Sequence, residues 1–415
     1  MHVAVLGAGV VGITTAYQLL RDGHSVTVID RCAAPALFTS FANAGLVAPG
    51  HAYAWGSPAA PRMMLRSMMD RSQAIRFKPR LSLRQWKWSL AFLRECTAER
   101  AARNTSKKAR LCRYAQHMLD EVTAQTNVRY DGLSDGLMYF YRSPEALRAA
   151  QSRADVLRRE GLAIEALTGD QVIARDPGLG SARGKIAGGL YAPTDASGDA
   201  QIFTRELARV CEEMGANFLF GTEISDLTLS MGEIRSVETT KGSVKADSFV
   251  LCLGIYSPHL VEKLKIALPI YPVKGYSMTV SLRDLETAPV MGGVDEENLL
   301  AYCPMGDRLR LTATAEISGY STAHKPSDFR VMLARARELF GNALGQSGID
   351  YWAGLRPMTP TGLPIVDRSG IDNLWLNTGH GHMGWTMSNG CARMIADMIA
   401  QRSPAHSNEG MRYAE

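Results

Sequence analysis

The sequence predicts an α/β protein with two interleaved domains: one carries a parallel sheet, and the other is an α+β domain built on a largely antiparallel sheet. Three observations support this prediction. The chain opens with a strand, a glycine-rich turn and a helix. The apolar run 248–253 ends at Gly254, which is typical of a buried parallel strand. Alternating strand patterns at 270–280, 299–303 and 309–314 favour a separate antiparallel sheet.

The N-terminal segment has the pattern of a Rossmann-like dinucleotide-binding unit. The turn GAGVVG at residues 7–12 joins an apolar strand to a helix, and a second strand ends at Asp30. Gly7 permits the tight turn, Gly9 lets the backbone approach a pyrophosphate, and Gly12 lets the helix pack closely on the strand. Asp30 can accept hydrogen bonds from a ribose. The pattern leaves FAD and NAD open, although its position at the N-terminus favours FAD.

The remaining elements follow from composition and periodicity. Residues 32–58 have a loop composition, and residues 62–125 have a helical one. We expect further helices at 144–159, 203–214, 328–339 and 388–400, and further strands at 136–142, 189–192, 217–220, 224–229, 234–239 and 374–377. The stretch 203–254 returns to the parallel sheet. We therefore expect an FAD-binding or other nucleotide-binding domain from 1–60, 196–262 and 355–415, and a substrate-binding domain from 61–195 and 263–354.

Length and composition indicate an ordinary globular protein of two domains. A chain of 415 residues exceeds the size at which one core stops growing, and hydrophobic residues make up 46% against 21% charged residues. No apolar run is long enough to span a membrane. The first strand begins at residue 2, which leaves no room for a secretion signal, and seven dispersed cysteines indicate free thiols. We therefore expect a cytoplasmic protein, and the spacing of Cys and His predicts no metal site.

A basic segment lies between Arg62 and Arg94. It holds nine Lys or Arg residues against one acid, Asp70, and Met and Trp residues are interleaved with them. Such a segment is a candidate for peripheral contact with an anionic membrane, here the inner face of the cell membrane. The alternative is a pair of core helices with solvated basic faces. The rest of the chain is balanced in charge and shows no nucleic-acid recognition module, so we expect no nucleic-acid partner.

The C-terminal part of the chain carries a second informative block. Arg356 lies in the apolar sequence GLRPMTP. A guanidinium fork binds a carboxylate bidentately, so Arg356 is a candidate ligand for a substrate carboxylate, and a structural ion pair is the alternative. A strand at 374–377 then leads into Gly379, Gly381 and Gly384 and a helix. Backbone N–H groups at such a turn suit an electron-rich group such as the N1–C2=O edge of a flavin.

These motifs together resemble the flavin-dependent amino-acid dehydrogenases of the D-amino-acid oxidase and glycine oxidase superfamily, and within it the bacterial D-amino-acid dehydrogenases. The resemblance covers essentially the whole chain. The motifs that carry it are VLGAGVVG at 5–12, TSFANAG at 39–45, SGD at 197–199, PVKGYS at 272–277, GLRPMTP at 354–360 and NTGHG at 377–381. The resemblance implies non-covalent FAD and oxidation of an amino acid to an imine, which hydrolyses to a 2-oxo acid and ammonia.

The resemblance also assigns residues to the cofactor. It places the pyrophosphate at Gly7, Gly9, Val10, Val11 and Gly12, the ribose at Asp30 and Arg31, the middle of FAD at Ser40, Asn43, Ala44, Gly45 and Leu46, the adenine at Ile224, and a further pyrophosphate contact at Gly254. It places the flavin ring at Gly381, His382, Met383 and Gly384. The His-Met pair at 382–383 departs from the family pattern. Arg356 is implied to bind the substrate carboxylate.

Three other side chains are candidates for the substrate site. Tyr276 lies on a strand expected to face the flavin, and His51 and Tyr53 lie in the loop after the FAD segment. Core packing is the alternative for Tyr276, and an ordinary loop position is the alternative for the other two. A neutral amine can deliver its Cα hydride directly to the flavin, so this chemistry requires no strong acid or base from the protein.

The sequence leaves several functional alternatives open. Electrons can pass to a quinone or another acceptor, as in a dehydrogenase, or to oxygen, as in an amino-acid or sarcosine-type oxidase of the same fold. The substrate can be a D-amino acid, including one of D-proline or hydroxyproline type, and a carboxylate-binding arginine alone does not select D over L. A protein that holds FAD without turnover is a further alternative.

Overall fold

The elements of the fold alternate between two large sheets. The computed structural model describes residues 1–69, 75–345 and 348–413. The helices are α1 (Val10–Arg21), α2 (Ala60–Met69), α3 (Leu83–Arg94), α4 (Ala98–Thr126), α5 (Pro144–Arg159), α6 (Gly169–Arg175), α7 (Ala200–Glu213), α8 (Ser257–Val261), α9 (Arg330–Phe340) and α10 (Gly384–Ile399). The strands are β1 (His2–Leu6), β2 (Ser25–Ile29), β3 (Leu46–Val47), β4 (Ile75–Phe77), β5 (Leu137–Tyr141), β6 (Glu165–Thr168), β7 (Gly188–Ala192), β8 (Ala196–Ser197), β9 (Asn217–Leu219), β10 (Ile224–Ser230), β11 (Glu233–Thr239), β12 (Gly242–Val244), β13 (Ser248–Leu251), β14 (Tyr271–Ser281), β15 (Gly292–Asp295), β16 (Leu300–Met305), β17 (Arg308–Ile317), β18 (Asp350–Met358), β19 (Ile365–Arg368) and β20 (Leu374–Thr378).

The first sheet carries the dinucleotide-binding pattern. Its six strands lie in the order β19-β20-β13-β1-β2-β9, and all pairs are parallel except β19 with β20. The central strand β1 is apolar because both faces of a parallel sheet are covered. Helix α1 packs between α7 and α10 beside this sheet. The prediction of a Rossmann-like domain is therefore confirmed.

The second sheet is mostly antiparallel. Eight of its nine strands follow the order β18-β14-β17-β16-β15-β5-β7-β6, and β4 pairs with β17 outside this path. Only the pairs β5–β15 and β4–β17 are parallel among the described residues. Tyr302 and Leu311 of the sheet share a core with Met332 and Leu339 of α9. The prediction of an α+β domain on a largely antiparallel sheet is confirmed.

Several elements differ from the predictions because partners far along the chain decide them. The strand patterns at 224–229 and 234–239 do not join the parallel sheet, since β10, β11 and β12 form a three-stranded antiparallel sheet of their own. The span 62–125 is not wholly helical, because it contains strand β4, which pairs with β17. Strands β6, β15, β18 and β19 were not predicted either. Strand β18 pairs with the distant β14, whereas β15 and β19 pair with the next strands along the chain, β16 and β20.

Two helices begin earlier than predicted, and the start of α7 has a local cause. Helix α7 begins at Ala200 because Asp199 accepts hydrogen bonds from the N–H groups of Gln201 and Ile202 at 2.9 and 3.2 Å. Such a cap contributes about 1 kcal/mol. Helix α10 begins at Gly384, within the glycine-rich turn. The N-terminus of α10 therefore lies next to the glycine-rich turn and not further along the chain.

One predicted domain boundary falls inside a strand. Strand β18 pairs with β14 from Met358 opposite Tyr271 to Asp350 opposite Thr279. The chain therefore leaves the second sheet after Met358 and not at residue 355. Because of this pairing, Arg356 is held by the antiparallel sheet. The other predicted domain ranges stay a prediction.

Candidate cofactor and substrate site

A cavity of about 720 Å³ lies where the carboxyl ends of β1, β2 and β13 meet the second sheet. This volume is in the range of ligand cavities, roughly 300–1,000 Å³. Every residue that the sequence assigned to cofactor or substrate lines the cavity, except Gly12 and Tyr276. The predicted residues that line it are Gly7, Gly9, Val10, Val11, Asp30, Arg31, Ser40, Asn43, Ala44, Gly45, Leu46, His51, Tyr53, Ile224, Gly254, Arg356, Gly381, His382, Met383 and Gly384.

The turn after β1 needs glycine for its backbone conformation and for the close contacts that it makes. Gly7 has a φ of 109°, and a Cβ at Gly12 would overlap the Gly7 carbonyl oxygen. Gly12 therefore lets α1 pack on the turn and does not itself face the cavity. At Gly9 a Cβ would meet one protein atom, the Ser40 Oγ, at 3.4 Å. Gly9 provides no side-chain cap for helix α1, and the Val10 N–H is bound by Ser40 Oγ, so the N–H groups that follow are the ones left for a phosphate.

The acidic residue after β2 is tied to the turn. Asp30 accepts hydrogen bonds from the N–H groups of Ala8 and Cys32, both at 2.7 Å. A carboxylate has about four lone-pair sites, so about two remain for ribose hydroxyls. Arg31 stacks over the ring of Tyr256, with the guanidinium carbon 4.2 Å from its centroid. A carboxylate and a guanidinium therefore lie together at this end of the cavity.

The loop that precedes β3 lines the middle of the cavity. Ser40 Oγ accepts a hydrogen bond from the Val10 N–H at 3.1 Å, and Asn43 Oδ1 accepts one from the Gly45 N–H at 3.0 Å. Gly45 has a φ of 73°, and a Cβ there would come within 2.8 Å of side chains of β16. Glycine is therefore required where the loop meets the second sheet.

The turn between β20 and α10 carries unpartnered polar groups. The Nε2 atoms of His380 and His382 are buried and have no hydrogen-bond partner within residues 1–69, 75–345 and 348–413. Burial lowers the pKa of His380 to about 3 and also lowers the pKa of His382, so both rings are neutral at pH 7. The ring of His382 stacks on Trp55 at 4.7 Å between centroids. No side chain caps α10 at its start, so its first N–H groups are also available.

These groups fit FAD in the order in which they line the cavity. The first turn suits a pyrophosphate, Asp30 suits a ribose, and the second turn suits the polar edge of a flavin ring. No group of three or more His, Cys, Asp or Glu side chains could hold a metal ion in the part of the chain that the structure describes.

Arg356 reaches the cavity from β18. Its Nη1 donates a hydrogen bond to the Thr314 carbonyl oxygen at 3.0 Å, and no described carboxylate forms an ion pair with it. The guanidinium lies over Gly275 of β14, where a Cβ would come within 2.5 Å of Nη2. Burial lowers the pKa of Arg356 to about 10, which leaves the group charged at pH 7. An enclosed guanidinium without a carboxylate partner suits the binding of a substrate carboxylate.

Tyr276 does not reach the cavity, which contradicts the expectation that it belongs to the substrate site. Side chains alternate along β14, so Val273 and Gly275 line the cavity while Tyr276 points to the opposite face. Its ring packs edge-on against Phe329 at 5.5 Å between centroids. Tyr276 therefore belongs to the core between the second sheet and α9.

His51 and Tyr53 line the cavity from the loop after β3. His51 Nε2 lies 2.7 Å from Glu296 Oε1, and the His51 ring stacks on Tyr139 at 5.0 Å between centroids. The Tyr53 carbonyl oxygen accepts a hydrogen bond from Lys108 Nζ at 2.6 Å. Burial raises the pKa of the Tyr53 hydroxyl, so it is protonated at pH 7.

Sequence reasoning missed three polar residues at or beside the site, namely Lys108, Asp195 and Glu296. Burial lowers the pKa of Lys108 to about 8 and raises the pKa of Asp195 to about 7. No local spacing marks Lys108 within the long helix α4, or Glu296 after β15. The turn-rich segment around Asp195 is the one sequence signal that points to any of them.

Known proteins are similar to this chain in sequence and in fold. Residues 2–398 match the family described as FAD dependent oxidoreductase (DAO). The chain is 43% identical over 414 residues to D-amino acid dehydrogenase 2 of Mesorhizobium japonicum, with 100% of both chains covered. It is 44% identical over 404 residues to D-amino acid dehydrogenase of Cereibacter sphaeroides, with 97% of this chain and 93% of that one covered. The fold is similar to glycine oxidase from Bacillus cereus, with a TM-score of 0.75 and 22% identity over 99% of this chain and 97% of that one. The chain therefore belongs to the DAO family of FAD-dependent oxidoreductases, and FAD is its cofactor.

Proposed function

We propose that this protein is a dehydrogenase that oxidises D-amino acids, including those of D-proline or hydroxyproline type, to imines that hydrolyse to 2-oxo acids and ammonia. The observation that carries the proposal is Arg356, a charged guanidinium in the cavity without a described carboxylate partner. The names of full-length relatives at 43% and 44% identity support the choice of D-amino acids.

Residues of the second sheet would hold and orient the substrate. When bound, FAD supplies a two-electron acceptor for the Cα hydride of the neutral amine. Arg356 binds the substrate carboxylate as a fork, and the Thr314 carbonyl oxygen holds the guanidinium in place. Helices α2 and α3 cover this region with Met64 and Trp88, which pack with Val273, the strand partner of Arg356. This apolar wall excludes water and so strengthens the ion pair between Arg356 and the substrate.

The proposal includes a membrane-bound acceptor, because the basic segment 62–94 exposes apolar side chains. On α3, Leu83, Trp86, Leu90 and Leu93 are 72%, 45%, 59% and 41% exposed. Their spacing of three and four residues places them on one stripe of the helix, whereas core helices with a solvated basic face would show no such stripe. No helix among the described residues is long and apolar enough to cross a membrane. Residues 70–74 of the segment lie outside the described residues.

The same surface adjoins the cavity. Met63 of α2 lines the cavity and is also 43% exposed, and the inner face of α3 lines it with Trp88 and Phe92. An anionic bilayer seated on this surface would therefore bring a lipophilic quinone to the side of the cavity. Exposed basic residues, including Arg62, Lys87 and Arg94, would contact its headgroups.

An anaerobic screen of amino acids tests the proposed function. D- and L-amino acids, prolines and sarcosine are mixed with the holoenzyme, and reduction is followed by the loss of flavin absorbance. We expect D-amino acids to reduce the flavin and their L-enantiomers to react more slowly. Peroxide release in air, compared with reduction of a soluble quinone, separates a dehydrogenase from an oxidase. If no amino acid reduces the flavin, the protein binds FAD without this activity and the proposal is wrong.

A further inference from the structure

A pair of titratable side chains on the cavity wall has no part in the function described so far. His51 Nε2 lies 2.7 Å from Glu296 Oε1, and the two side chains are 28% and 12% exposed. Both residues line the cavity. This is an ion-pair contact and not an aligned hydrogen bond, because Glu296 Oε1 has no hydrogen-bond partner among the described residues. A neutral imidazole has one nitrogen with a free lone pair, which can accept a proton. The pair therefore presents a proton acceptor beside a carboxylate that can stabilise its charged form.

The position of His51 is strongly constrained. Tyr139 stacks on its ring at 5.0 Å, and Tyr53 meets it edge-on at 5.6 Å between centroids. The preceding residue, Gly50, donates its N–H to both carboxylate oxygens of buried Asp195, at 2.9 and 3.0 Å. A Cβ at Gly50 would come within 2.7 Å of Asp195 Oδ2, so the loop is anchored closely. Such constraint is expected of a group that must meet a substrate atom in one geometry.

The segments that carry Arg356 and His51 both contact the second glycine-rich turn. Strand β18 packs against Gly381–Met383, and Trp55, in the same loop as His51, stacks on His382 at 4.7 Å between centroids. The carboxylate-binding group and the His51–Glu296 pair therefore face one region of the cavity. In an α-amino acid, the amine and the carboxylate are attached to the same carbon. A substrate held by Arg356 thus carries its amine within this region.

We propose that His51, with Glu296 beside it, accepts a proton from the ammonium group of the bound amino acid. The inference rests on the proposed function and deepens it. An amino acid in neutral solution is an ammonium ion, whereas loss of the Cα hydride requires the neutral amine. The N–H bond of the ammonium breaks, its electron pair stays on the substrate nitrogen, and the proton forms a new N–H bond at the unprotonated ring nitrogen of His51. Glu296 stabilises the resulting imidazolium, as the carboxylate does in a His–Asp pair.

Other titratable and charged groups around His51 are less suited to this step. They are Tyr53 from its own loop, Tyr139 and Tyr141 from β5, Lys108 from α4, Arg153 from α5, Asp195 from the segment before β8, His382 and Arg356. Burial raises the pKa of the three tyrosines, which are therefore protonated at pH 7. Asp195 does not line the cavity and is bound by Tyr139 and Gly50. His382 is a poor acceptor because burial and positive neighbours lower its pKa.

The pH dependence of flavin reduction tests the proposal. His51→Gln in the holoenzyme should lower kcat/KM about 100-fold at pH 7, since general bases contribute roughly 10²–10⁴-fold. The loss should shrink tenfold per pH unit as the pH rises toward the pKa of the free amine, because the substrate then arrives neutral. Glu296→Gln should lose less and show the same recovery. His117→Gln, an exposed histidine on α4, serves as the matched control and should leave both rate and profile unchanged.

A spectroscopic measurement tests the proton transfer without turnover. The enzyme is labelled with ¹⁵N-histidine and reduced with dithionite, so that a bound amino acid is not oxidised. The His51 ring signals, assigned by their loss in His51→Gln, should move to imidazolium values when the best D-amino acid of the screen is added. The corresponding 2-hydroxy acid, which lacks an ammonium proton, should leave them unchanged.

Three results would overturn the proposal. An equal loss of kcat/KM in His51→Gln at every pH would show that His51 is a structural residue. A loss confined to substrates with polar side chains would make the pair a side-chain subsite. If Glu296→Gln had a large effect and His51→Gln a small one, the proton acceptor would be Glu296 and not His51. Failure of every amino acid to reduce the wild-type flavin would instead contradict the proposed function.

Discussion

Arg356 is the residue on which the proposed substrate pose depends. Arg356→Leu should lower kcat/KM by roughly 30-fold to several-thousand-fold, because loss of one partner of a desolvated charge pair costs about 2–5 kcal/mol. FAD should stay bound, since none of the described cofactor-binding turns uses the guanidinium. Stopped-flow flavin reduction and the absorbance spectrum measure the two effects. Arg148→Leu, on an exposed face of α5, is the matched control.

The space over Gly275 provides a second test of this geometry. A Cβ there would come within 2.5 Å of Arg356 Nη2, and the guanidinium can move away because it ends a flexible side chain. Gly275→Ala should therefore fold normally and still lower kcat/KM for amino acids. An amine without a carboxylate should lose much less. Equal losses for both substrates would show that Arg356 is structural.

The two glycines of the first turn should fail in different ways. Gly9 has a φ of −73° and room for a Cβ beside Ser40, so Gly9→Ala should fold but bind FAD weakly, because the methyl group enters the phosphate site. Gly12→Ala would overlap the Gly7 carbonyl oxygen, so it should lower the stability of the apoprotein itself. Fluorescence titration with FAD and thermal unfolding of the apoprotein distinguish the two. Similar losses of apoprotein stability in both variants would contradict this division.

Asp195 should make stability depend on pH. Burial raises its pKa to about 7, whereas an unfolded Asp has a pKa of about 3.9. Between these values the native state holds a proton that the unfolded state has released. The free energy of unfolding therefore falls as pH rises through this window, by at most about 1.4 kcal/mol per unit, and the effect levels off above it.

Asp195→Asn removes this titration while its amide can still accept from the Gly50 N–H. The stability of wild type relative to Asp195→Asn should therefore decrease from pH 4 to pH 7. Denaturant unfolding across this range measures the difference. A difference that stays constant with pH would show that Asp195 does not titrate in this window.

At the scale of elements, the alternation along β14 separates two surfaces. Val273 and Gly275 line the cavity, and Tyr276 packs in the core beneath α9. Helix α3 divides its faces in the same way, with Trp88 inward and Trp86 outward. An outward apolar stripe is costly in water unless a partner covers it. This is the physical basis for expecting a membrane beside α2 and α3.

Vesicle binding tests this expectation. The holoenzyme should sediment with vesicles that contain phosphatidylglycerol and not with pure phosphatidylcholine, and salt should release it, because each basic residue near an anionic surface contributes about 1 kcal/mol. Trp86→Ser with Leu90→Ser should weaken binding. Leu285→Ser, which changes an exposed leucine elsewhere on the chain, is the control. Equal partition onto both kinds of vesicle would contradict an electrostatic membrane contact.

At the scale of the whole molecule, the cofactor site joins the two sheets. Its wall combines the turns after β1 and β20 with β14, β17 and β18. FAD bound there should stabilise both parts at once, and each tenfold rise in free FAD above its Kd should add about 1.4 kcal/mol. Thermal unfolding of the apoprotein at increasing FAD concentration measures this. A midpoint independent of FAD would contradict it, and colour left on acid-precipitated chain would contradict non-covalent binding.

Features with a local physical cause could be predicted from the sequence. The turn at 7–12, Asp30 and the apolar strand before Gly254 could be recognised because backbone conformation and burial leave a pattern within a few residues. The same holds for Arg356, because a charged residue in an apolar sequence is expected to bind a group of opposite charge. The sequence by itself thus determined the nucleotide-binding fold, the two glycine-rich turns and the candidate carboxylate ligand Arg356.

The tertiary structure alone decided which distant groups meet. Tyr276 was misplaced because the facing of a strand depends on its register, and a shift of one residue reverses every side chain. Glu296 reaches His51, and Lys108 reaches Tyr53, through segments far apart along the chain. Strand β4 forms because it pairs with β17. Such contacts leave no local spacing, since their energy comes from long-range pairing and packing rather than from the segment itself.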